Sequence, residues 1–169
     1  MEPHIYQLKV TLADSEPEVW RRVCVSAEMT LATLHGIIQR AMGWENLHDY
    51  RFAKGIGQAP CDTQQPLASI ASQCQVFYYT YDFQSGWLHR IEIELTDAAT
   101  PAQDRPVCID GAAACPPENT GGVWGYDELL ARLDNTDDPD YLDLIEKYSS
   151  FDPDSFDIDA ANQRLSARL

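Results

Sequence analysis

Side chains that could act in catalysis are concentrated in two segments of the sequence. Asp82 and His89 lie on either side of the turn of an aromatic hairpin, and Cys115 and Glu118 lie on either side of a pair of prolines. A carboxylate, an imidazole and a thiol that met in one cleft could act as general base, ligand or nucleophile. The sequence therefore allows a small hydrolase-like or metal-assisted enzyme, but it assigns no catalytic role to any one residue.

Two cysteines raise the alternative of a metal site. Cys108 and Cys115 lie seven residues apart in a loop rich in proline and glycine. Zinc favours cysteine and histidine ligands in a tetrahedral set, which His89 or His48 could complete, with Asp82 as a further oxygen donor. No Cys-x2-Cys knuckle is present, and such thiols more often simply pack a loop. We therefore expect no cofactor, and zinc held by Cys108, Cys115 and His89 is the alternative.

Each candidate also has a purely structural interpretation. His89 lies on the apolar face of a predicted strand, where a buried imidazole needs a partner such as Tyr81 or a backbone carbonyl. Asp82 precedes the hairpin turn and could accept hydrogen bonds from backbone N–H groups. Glu118 follows two prolines and could pair with an arginine of the second strand or with His89. The motif residues would then lock the C-terminal helices onto the hairpin.

Aromatic residues accompany these candidates. Trp44 and His48 follow the first predicted helix, and Trp87 begins the second strand of the hairpin. Such side chains can line a ligand pocket, although they more often cover the edge of a core. No nucleophile elbow, P-loop, dinucleotide fingerprint or HExxH motif is present. The candidate site thus consists of Trp44, His48, Asp82, Trp87, His89, Cys115 and Glu118.

The charge of the chain is strongly negative and unevenly distributed. The 169 residues carry a formal net charge of −15; positions 1–95 hold 7 basic and 11 acidic residues, and positions 96–169 hold 5 and 16. Such a surface repels phosphate backbones and anionic membranes, so we expect no direct binding to nucleic acid or membrane. It indicates an acidic face for a basic protein partner, a mimic of DNA, or a surface that serves only solubility.

The remaining composition indicates a cytoplasmic protein with one domain over residues 1–169. No run of 18 apolar residues could cross a membrane, and the N-terminus lacks the basic and apolar regions of a signal peptide. Five irregularly spaced cysteines argue against a secreted disulfide framework. Nothing in the sequence specifies an oligomeric state.

Hydrophobic spacing predicts an α+β fold, in which C-terminal helices pack on a mostly antiparallel sheet. The ββαββ portion is compatible with a β-grasp-like sheet. The predicted elements are strands at 4–12 and 18–25, a helix from N-cap Thr30 to Gly43, a short strand at 49–53, a surface excursion at 54–73, a hairpin at 76–95, coil at 96–123, and three helices, of which the second has Asp138 as N-cap and the third starts near Asp157.

The register of the hairpin decides which side chains face the core. A three-residue loop of Gln84, Ser85 and Gly86 would place all the aromatic and aliphatic residues on one face. The predicted pairs are Phe83 with Trp87, Tyr81 with His89, Tyr79 with Ile91 and Phe77 with Ile93.

Several motifs together resemble the plasmid pRiA4b Orf3-like family, and the resemblance spans almost the whole chain. They are Ile5 to Val10 with Val19 to Val23, Leu34-His35 with Ala41 to Trp44, Tyr81 to Phe83 with Gly86-Trp87 and His89, Cys115 to Glu118 with Gly121-Gly122 and Gly125-Tyr126, and Phe151 to Pro153 with Phe156-Asp157.

The resemblance implies an intracellular α+β domain often encoded near plasmids or mobile elements, with no settled activity and no catalytic residue to transfer. Two departures matter. The family's hairpin turn usually reads Asp-Phe-Gly-Asp-Gly-Trp, whereas Gln84-Ser85 stands here before Gly86. An Asp often follows the Pro-Pro-Glu, sometimes with a third Cys beyond it, whereas Asn119 and Thr120 stand here. We therefore expect an acidic, non-enzymatic interaction module, with the metal-assisted or hydrolase-like enzyme as the alternative.

Overall fold

The computed structural model describes residues 4–98 and 105–167, and an α+β arrangement of six strands and five helices lies within them. In chain order these are β1 (Ile5–Leu12), β2 (Trp20–Ser26), α1 (Leu31–Met42), β3 (Tyr50–Ala53), α2 (Leu67–Ala71), β4 (Val76–Tyr81), β5 (Trp87–Leu95), β6 (Val107–Ala112), α3 (Gly122–Leu133), α4 (Tyr141–Lys147) and α5 (Ile158–Ser166).

The strands form one sheet in the order β3-β4-β5-β1-β2-β6, and every pairing between these strands is antiparallel. The α+β class, the antiparallel sheet and the C-terminal helices are therefore confirmed. The β-grasp-like detail is not confirmed. One face of the sheet is buried with α1, whereas the other carries paired polar side chains such as Arg22 with Glu94 (2.7 Å) and Arg90 with Glu92 (3.1 Å).

The helix α1 forms as the sequence predicts. The side chain of Thr30 caps it by accepting a hydrogen bond from the Thr33 N–H (3.2 Å). Gly43 ends it at φ 111°, a left-handed conformation that glycine adopts without steric cost. Leu31, Leu34, Ile38 and the other apolar residues of its stripe are buried against the sheet.

The β4–β5 hairpin has a different register from the predicted one. Tyr81 pairs with Trp87 and Tyr79 with His89, so the strands are shifted by two residues and the loop spans 82–86. Asp82 ends the strand because it adopts φ 59°, and its carbonyl accepts a hydrogen bond from the Gly86 N–H (2.6 Å). A two-residue shift keeps side chains on the same face, so Phe77, Tyr79, Tyr81 and Trp87 are buried, whereas Phe83 in the loop is 53% exposed.

Two elements lie in regions predicted to be irregular. The helix α2 falls within the expected surface excursion and buries Leu67 and Ile70. The strand β6 falls within the expected coil and pairs with β2.

The helix α4 begins after Asp140, so the predicted N-cap at Asp138 is wrong; the carboxylate of Asp138 instead accepts hydrogen bonds from Arg132 (2.9 Å). The predicted start of α5 at Asp157 is confirmed.

The C-terminal helix α5 is held against the edge of the sheet by a reciprocal pair of hydrogen bonds. Asn162 accepts from the backbone N–H of Cys108 (2.8 Å) and donates to its carbonyl (2.9 Å). Ala161 and Leu165 of α5 are buried in the same core as Leu8 and Val10 of β1. The hydrophobic core therefore includes residues from both ends of the chain.

A buried arginine joins these layers. The guanidinium of Arg21 donates to the carbonyls of Ala41 (2.9 Å) and Met42 (3.3 Å) at the end of α1. It also donates to the carbonyls of Trp20 (2.8 Å) and Ala112 (3.0 Å), and its Cζ lies 3.9 Å from the ring centroid of Phe156. Burial lowers the pKa of Arg21 to about 10, although the cation is retained at neutral pH.

Replacing Arg21 by lysine should destabilise the protein by about 2–3 kcal/mol. A lysine keeps the charge but cannot reach four carbonyls or stack on a ring, so buried acceptors would lose their donors. The matched control is Arg22→Lys, at the neighbouring, partly exposed position, where we expect a loss under about 1 kcal/mol. Urea unfolding of both variants measures the difference, and equal losses would contradict the role of Arg21.

Candidate functional site

The seven candidate residues lie in three segments that meet beside the tip of the β4–β5 hairpin. The loop between α1 and β3 provides Trp44 and His48, the hairpin provides Asp82, Trp87 and His89, and the segment after β6 provides Cys115 and Glu118. They fall into an inner aromatic group, a thiol and an outer acidic group.

The inner group packs inside the core. Trp87 and His89 are fully buried and Trp44 nearly so. The rings of Trp44 and Trp87 lie 5.1 Å apart, and Trp44 Nε1 donates to His89 Nε2 (3.2 Å). These residues hold the loop after α1 against the hairpin, which is the contact that brings His48 towards Asp82.

Both ring nitrogens of His89 have protein partners. Because Nε2 accepts from Trp44, Nδ1 carries the proton and faces the carbonyls of Trp87 (2.9 Å) and Tyr79 (3.2 Å). Burial lowers the pKa of His89 to about 4, since the charged ring would lose its hydration. His89 is therefore a neutral, fully bonded imidazole with no nitrogen free to take a proton from a substrate.

The two candidate thiols are enclosed, and within the described residues they do not belong to a set of metal-ligating side chains. Cys108 donates through Sγ to the carbonyl of Asp110 (3.3 Å), and Cys115 lies against the end of α1 near Gly43. Burial raises the pKa of both thiols, which keeps them protonated at neutral pH. Within residues 4–98 and 105–167, no group of three or more His, Cys, Asp or Glu side chains is arranged to hold a metal ion.

The outer group centres on Glu118. One of its oxygens, Oε1, accepts from the hydroxyl of Tyr81 (2.8 Å) and from the backbone N–H of Glu45 (2.9 Å). The other, Oε2, is buried without a hydrogen-bond partner and lies 4.0 Å from His48 Nε2. Glu118 therefore joins the hairpin to the loop after α1 and leaves one oxygen directed at His48.

Asp82 approaches His48 from the hairpin side. Its Oδ1 accepts from the N–H groups of Gln84 (3.2 Å) and Ser85 (3.4 Å), and its Oδ2 accepts from the Ser85 hydroxyl (2.6 Å) and lies 3.6 Å from His48 Nε2. Burial alone would raise the pKa of Asp82, but the hydrogen bonds from Ser85 and Gln84 and the nearby His48 hold it below its usual range.

Sequence reasoning missed three contributors to this site. Tyr81 was expected beside His89, but its hydroxyl binds Glu118 and also accepts from the Leu47 N–H (2.8 Å). Asn119 accepts a hydrogen bond from His48 Nε2 (2.8 Å), and Gly122 packs against the Ser85 carbonyl. The sequence gives one indication of these contacts, since a tyrosine on a buried face needs a hydrogen-bond partner for its hydroxyl group.

Comparison with known proteins places the chain in a family. The family model of the plasmid pRiA4b ORF-3-like protein matches residues 4–160. The chain belongs to the plasmid pRiA4b ORF-3-like family. The uncharacterized protein y4hQ of Sinorhizobium fredii (strain NBRC 101917 / NGR234) is 36% identical over 168 residues, which cover 92% of this chain and 86% of that protein.

A crystal structure in the comparison shows the same fold. The protein of unknown function MM3350 from Methanosarcina mazei Go1 superposes with a TM-score of 0.82 at 28% identity, over 94% of this chain and 98% of that one. The names of these two relatives specify no activity. Within the described residues of this family member, no helix has the length and apolarity needed to cross a membrane.

Gly122 should be essential for the close approach of α3 to the β4–β5 hairpin loop. A Cβ at this position would lie 2.3 Å from the Ser85 carbonyl oxygen, whereas a Cβ at Gly86 would meet nothing within 4 Å. Both glycines have positive φ, so Gly86→Ala is a matched control for backbone strain of about 1 kcal/mol. We expect Gly122→Ala to cost about 1–3 kcal/mol more in denaturant unfolding. If the two substitutions lower the free energy of unfolding equally, the hairpin loop around Ser85 moves to accommodate the added Cβ without further cost.

His89 should make stability depend on pH. The folded protein keeps His89 neutral down to about pH 4, whereas the unfolded chain protonates it near 6.5. The unfolded state then binds more protons between these values, so stability falls as pH falls through this window. From pH 7 to pH 5 the wild type should lose about 2 kcal/mol more than His89→Gln. The exposed His4→Gln is the control and should behave as the wild type; a wild-type slope in His89→Gln would contradict the assignment.

Proposed function

We propose that the chain is an acidic, non-enzymatic interaction module that binds a basic protein partner. The observation that carries this proposal is a largely apolar pocket of about 360 Å³ between α3 and α4, with Asp134 and Ser149 in its lining. Its apolar lining consists of Leu130, Leu133, Ile145, Tyr148, Phe151 and Pro153. A partner with an apolar anchor flanked by lysine or arginine fits such a surface by both shape and charge.

The C-terminal segment that contains this pocket carries exposed negative charge. The exposed acidic residues of the C-terminal segment are Asp127, Glu128, Asp134, Asp137, Asp140, Asp143, Glu146, Asp152, Asp154, Asp157 and Asp159. Of the basic residues there, Arg132 is engaged by Asp138 and Asp140. A concentration of one sign of charge accelerates encounter with an oppositely charged partner and repels nucleic acid.

Exposed apolar side chains accompany the acids. The helix α4 has no buried residue, and Leu142 on it is 75% exposed. Trp124 on α3 is 86% exposed. These exposed apolar side chains are accessible to a partner, as an interaction surface requires.

The enzyme alternative, built on Asp82, His89, Cys115 and Glu118, draws no support from two of its four residues. His89 has no free nitrogen, and the enclosed thiol of Cys115 has a raised pKa. We also propose that the module acts in the cytoplasm, where its five free thiols would remain reduced. A role in plasmid or mobile-element biology is suggested by the name of its family.

Binding of a basic amphipathic peptide tests this proposal. The probe contains leucine and lysine but no arginine, and its affinity is measured by calorimetry at 50 and 200 mM salt. We expect affinity to fall steeply with salt, and to fall about tenfold when Asp134, Asp137, Asp143 and Glu146 are replaced by their amides. Ile145→Ala, which removes one wall of the pocket, should also weaken binding.

The matched control removes four charges elsewhere. Glu16→Gln, Glu18→Gln, Glu28→Gln and Asp62→Asn change exposed residues of the N-terminal part and alter the net charge equally. We expect this variant to lose much less affinity than the C-terminal variant. Equal losses would reduce the effect to net charge, and binding that is independent of salt would contradict the proposal.

A further inference from the structure

The imidazole of His48 faces three side-chain oxygens. Its Nε2 lies 2.8 Å from Asn119 Oδ1, 3.6 Å from Asp82 Oδ2 and 4.0 Å from Glu118 Oε2. A single N–H donates well to only one of them, and it goes to Asn119. The two carboxylates therefore lie around a position that the ring of His48 only partly satisfies.

The Glu118 side chain is only 7% exposed, yet its Oε2 has no hydrogen-bond partner. Leaving a buried carboxylate oxygen without a donor costs folding free energy. A ligand that donates a hydrogen bond to this oxygen would recover that free energy. Its orientation is fixed, because Tyr81 and the Glu45 N–H hold Oε1. Asp82 is fixed through both oxygens, because Oδ1 accepts from the N–H groups of Gln84 and Ser85 and Oδ2 accepts from the Ser85 hydroxyl (2.6 Å). Both carboxylates thus direct a preorganised oxygen towards the same place.

The geometry fits a broad organic cation better than a bare ion. No set of three His, Cys, Asp or Glu ligands in the part of the chain that the structure describes is arranged around one metal position. A guanidinium is planar, carries five N–H donors and no acceptor, and can donate to two carboxylates at once. Asn119 Oδ1 adds a neutral acceptor at the edge.

His48 covers the entrance. Its side chain is 30% exposed, has one hydrogen bond, and touches Tyr81 edge-on with ring centroids 5.8 Å apart. Rotating this ring outward breaks one side-chain hydrogen bond, the one to Asn119. The outward movement would uncover Asp82 Oδ2 and Glu118 Oε2 together.

We propose that Asp82 and Glu118 bind the guanidinium of an arginine side chain on the basic partner. This guanidinium takes the place of the His48 ring. This proposal rests on the proposed function, because the partner supplies the arginine. It adds a second, specific contact to the acidic surface of α3 and α4. That surface attracts any basic segment, whereas this site selects arginine over lysine through paired hydrogen bonds.

The test uses acetyl-Ala-Arg-Ala-amide as the probe, with the same peptides carrying lysine or neutral citrulline as comparisons, in NMR titrations of the whole protein. We expect the arginine peptide to bind at least about tenfold more tightly than the citrulline peptide and more tightly than the lysine peptide. Glu118→Gln should weaken it about tenfold, and His48→Ala should strengthen it by removing the competing ring. Glu28→Gln, an exposed glutamate in the turn before α1, is the matched control and should change nothing.

Glu118→Gln preserves an acceptor for Tyr81 and Glu45, and Asp82→Asn repeats the test from the other carboxylate should the first variant fail to fold. Equal binding of arginine and citrulline peptides, or wild-type affinity in both variants, would overturn the proposal. Lysine binding as tight as arginine binding would overturn the choice of guanidinium. The leucine- and lysine-containing probe, compared between the wild type and the variant with Asp134, Asp137, Asp143 and Glu146 replaced by amides, reports on the α3–α4 surface, so failure of this site and failure of the proposed function give different results.

Discussion

The arrangement of this protein depends on one buried cation. Among the residues that the structure describes, Arg21 has no carboxylate partner, and its guanidinium donates to the carbonyls of Ala41, Met42, Trp20 and Ala112. Two of these carbonyls end α1, where the helix dipole places partial negative charge. Because the same group binds the ends of α1 and β6, it fixes the two points from which the segments of Trp44–His48 and Cys115–Glu118 begin. The site can form only where those two segments leave the core together.

Buried hydrogen bonds also fix the aromatic side chains that hold the loop after α1. His35 binds the hydroxyl of Tyr79 (2.7 Å) and the side chain of Asn46 (2.8 Å), so the loop after α1 is held at a second position. Trp44 and His89 supply a third contact. A polar network inside a core is stabilising only if its members are satisfied, and then it specifies one geometry. That requirement explains why His89, whose residue type suggested catalysis, serves packing.

The sequence predicts local structure well wherever one residue type decides the outcome. Thr30 and Gly43 delimit α1 by capping chemistry, and alternation along β1 gives the correct buried face. It fails where a distant partner decides. The hairpin register depends on Asp82 adopting a positive φ, β6 exists because β2 offers a free edge, and α2 forms because Leu67 and Ile70 reach the core. In the site, residue types singled out Glu118 and Asp82, but the contacts of Tyr81 and Asn119 required the three-dimensional structure.

The buried polar groups of this chain therefore differ in one respect that residue identity does not reveal. Both ring nitrogens of His89 have protein partners, and the guanidinium of Arg21 donates to four backbone carbonyls, so both groups stabilise the fold. Glu118 has one oxygen engaged, whereas the other is buried with no hydrogen-bond partner among the described residues. The carboxylate contributes nothing to packing that an amide would not, because Tyr81 and Glu45 need only an acceptor. A charged side chain is thus not needed to hold these two donors, and Glu118 Oε2 lies 4.0 Å from Nε2 of the partly exposed His48.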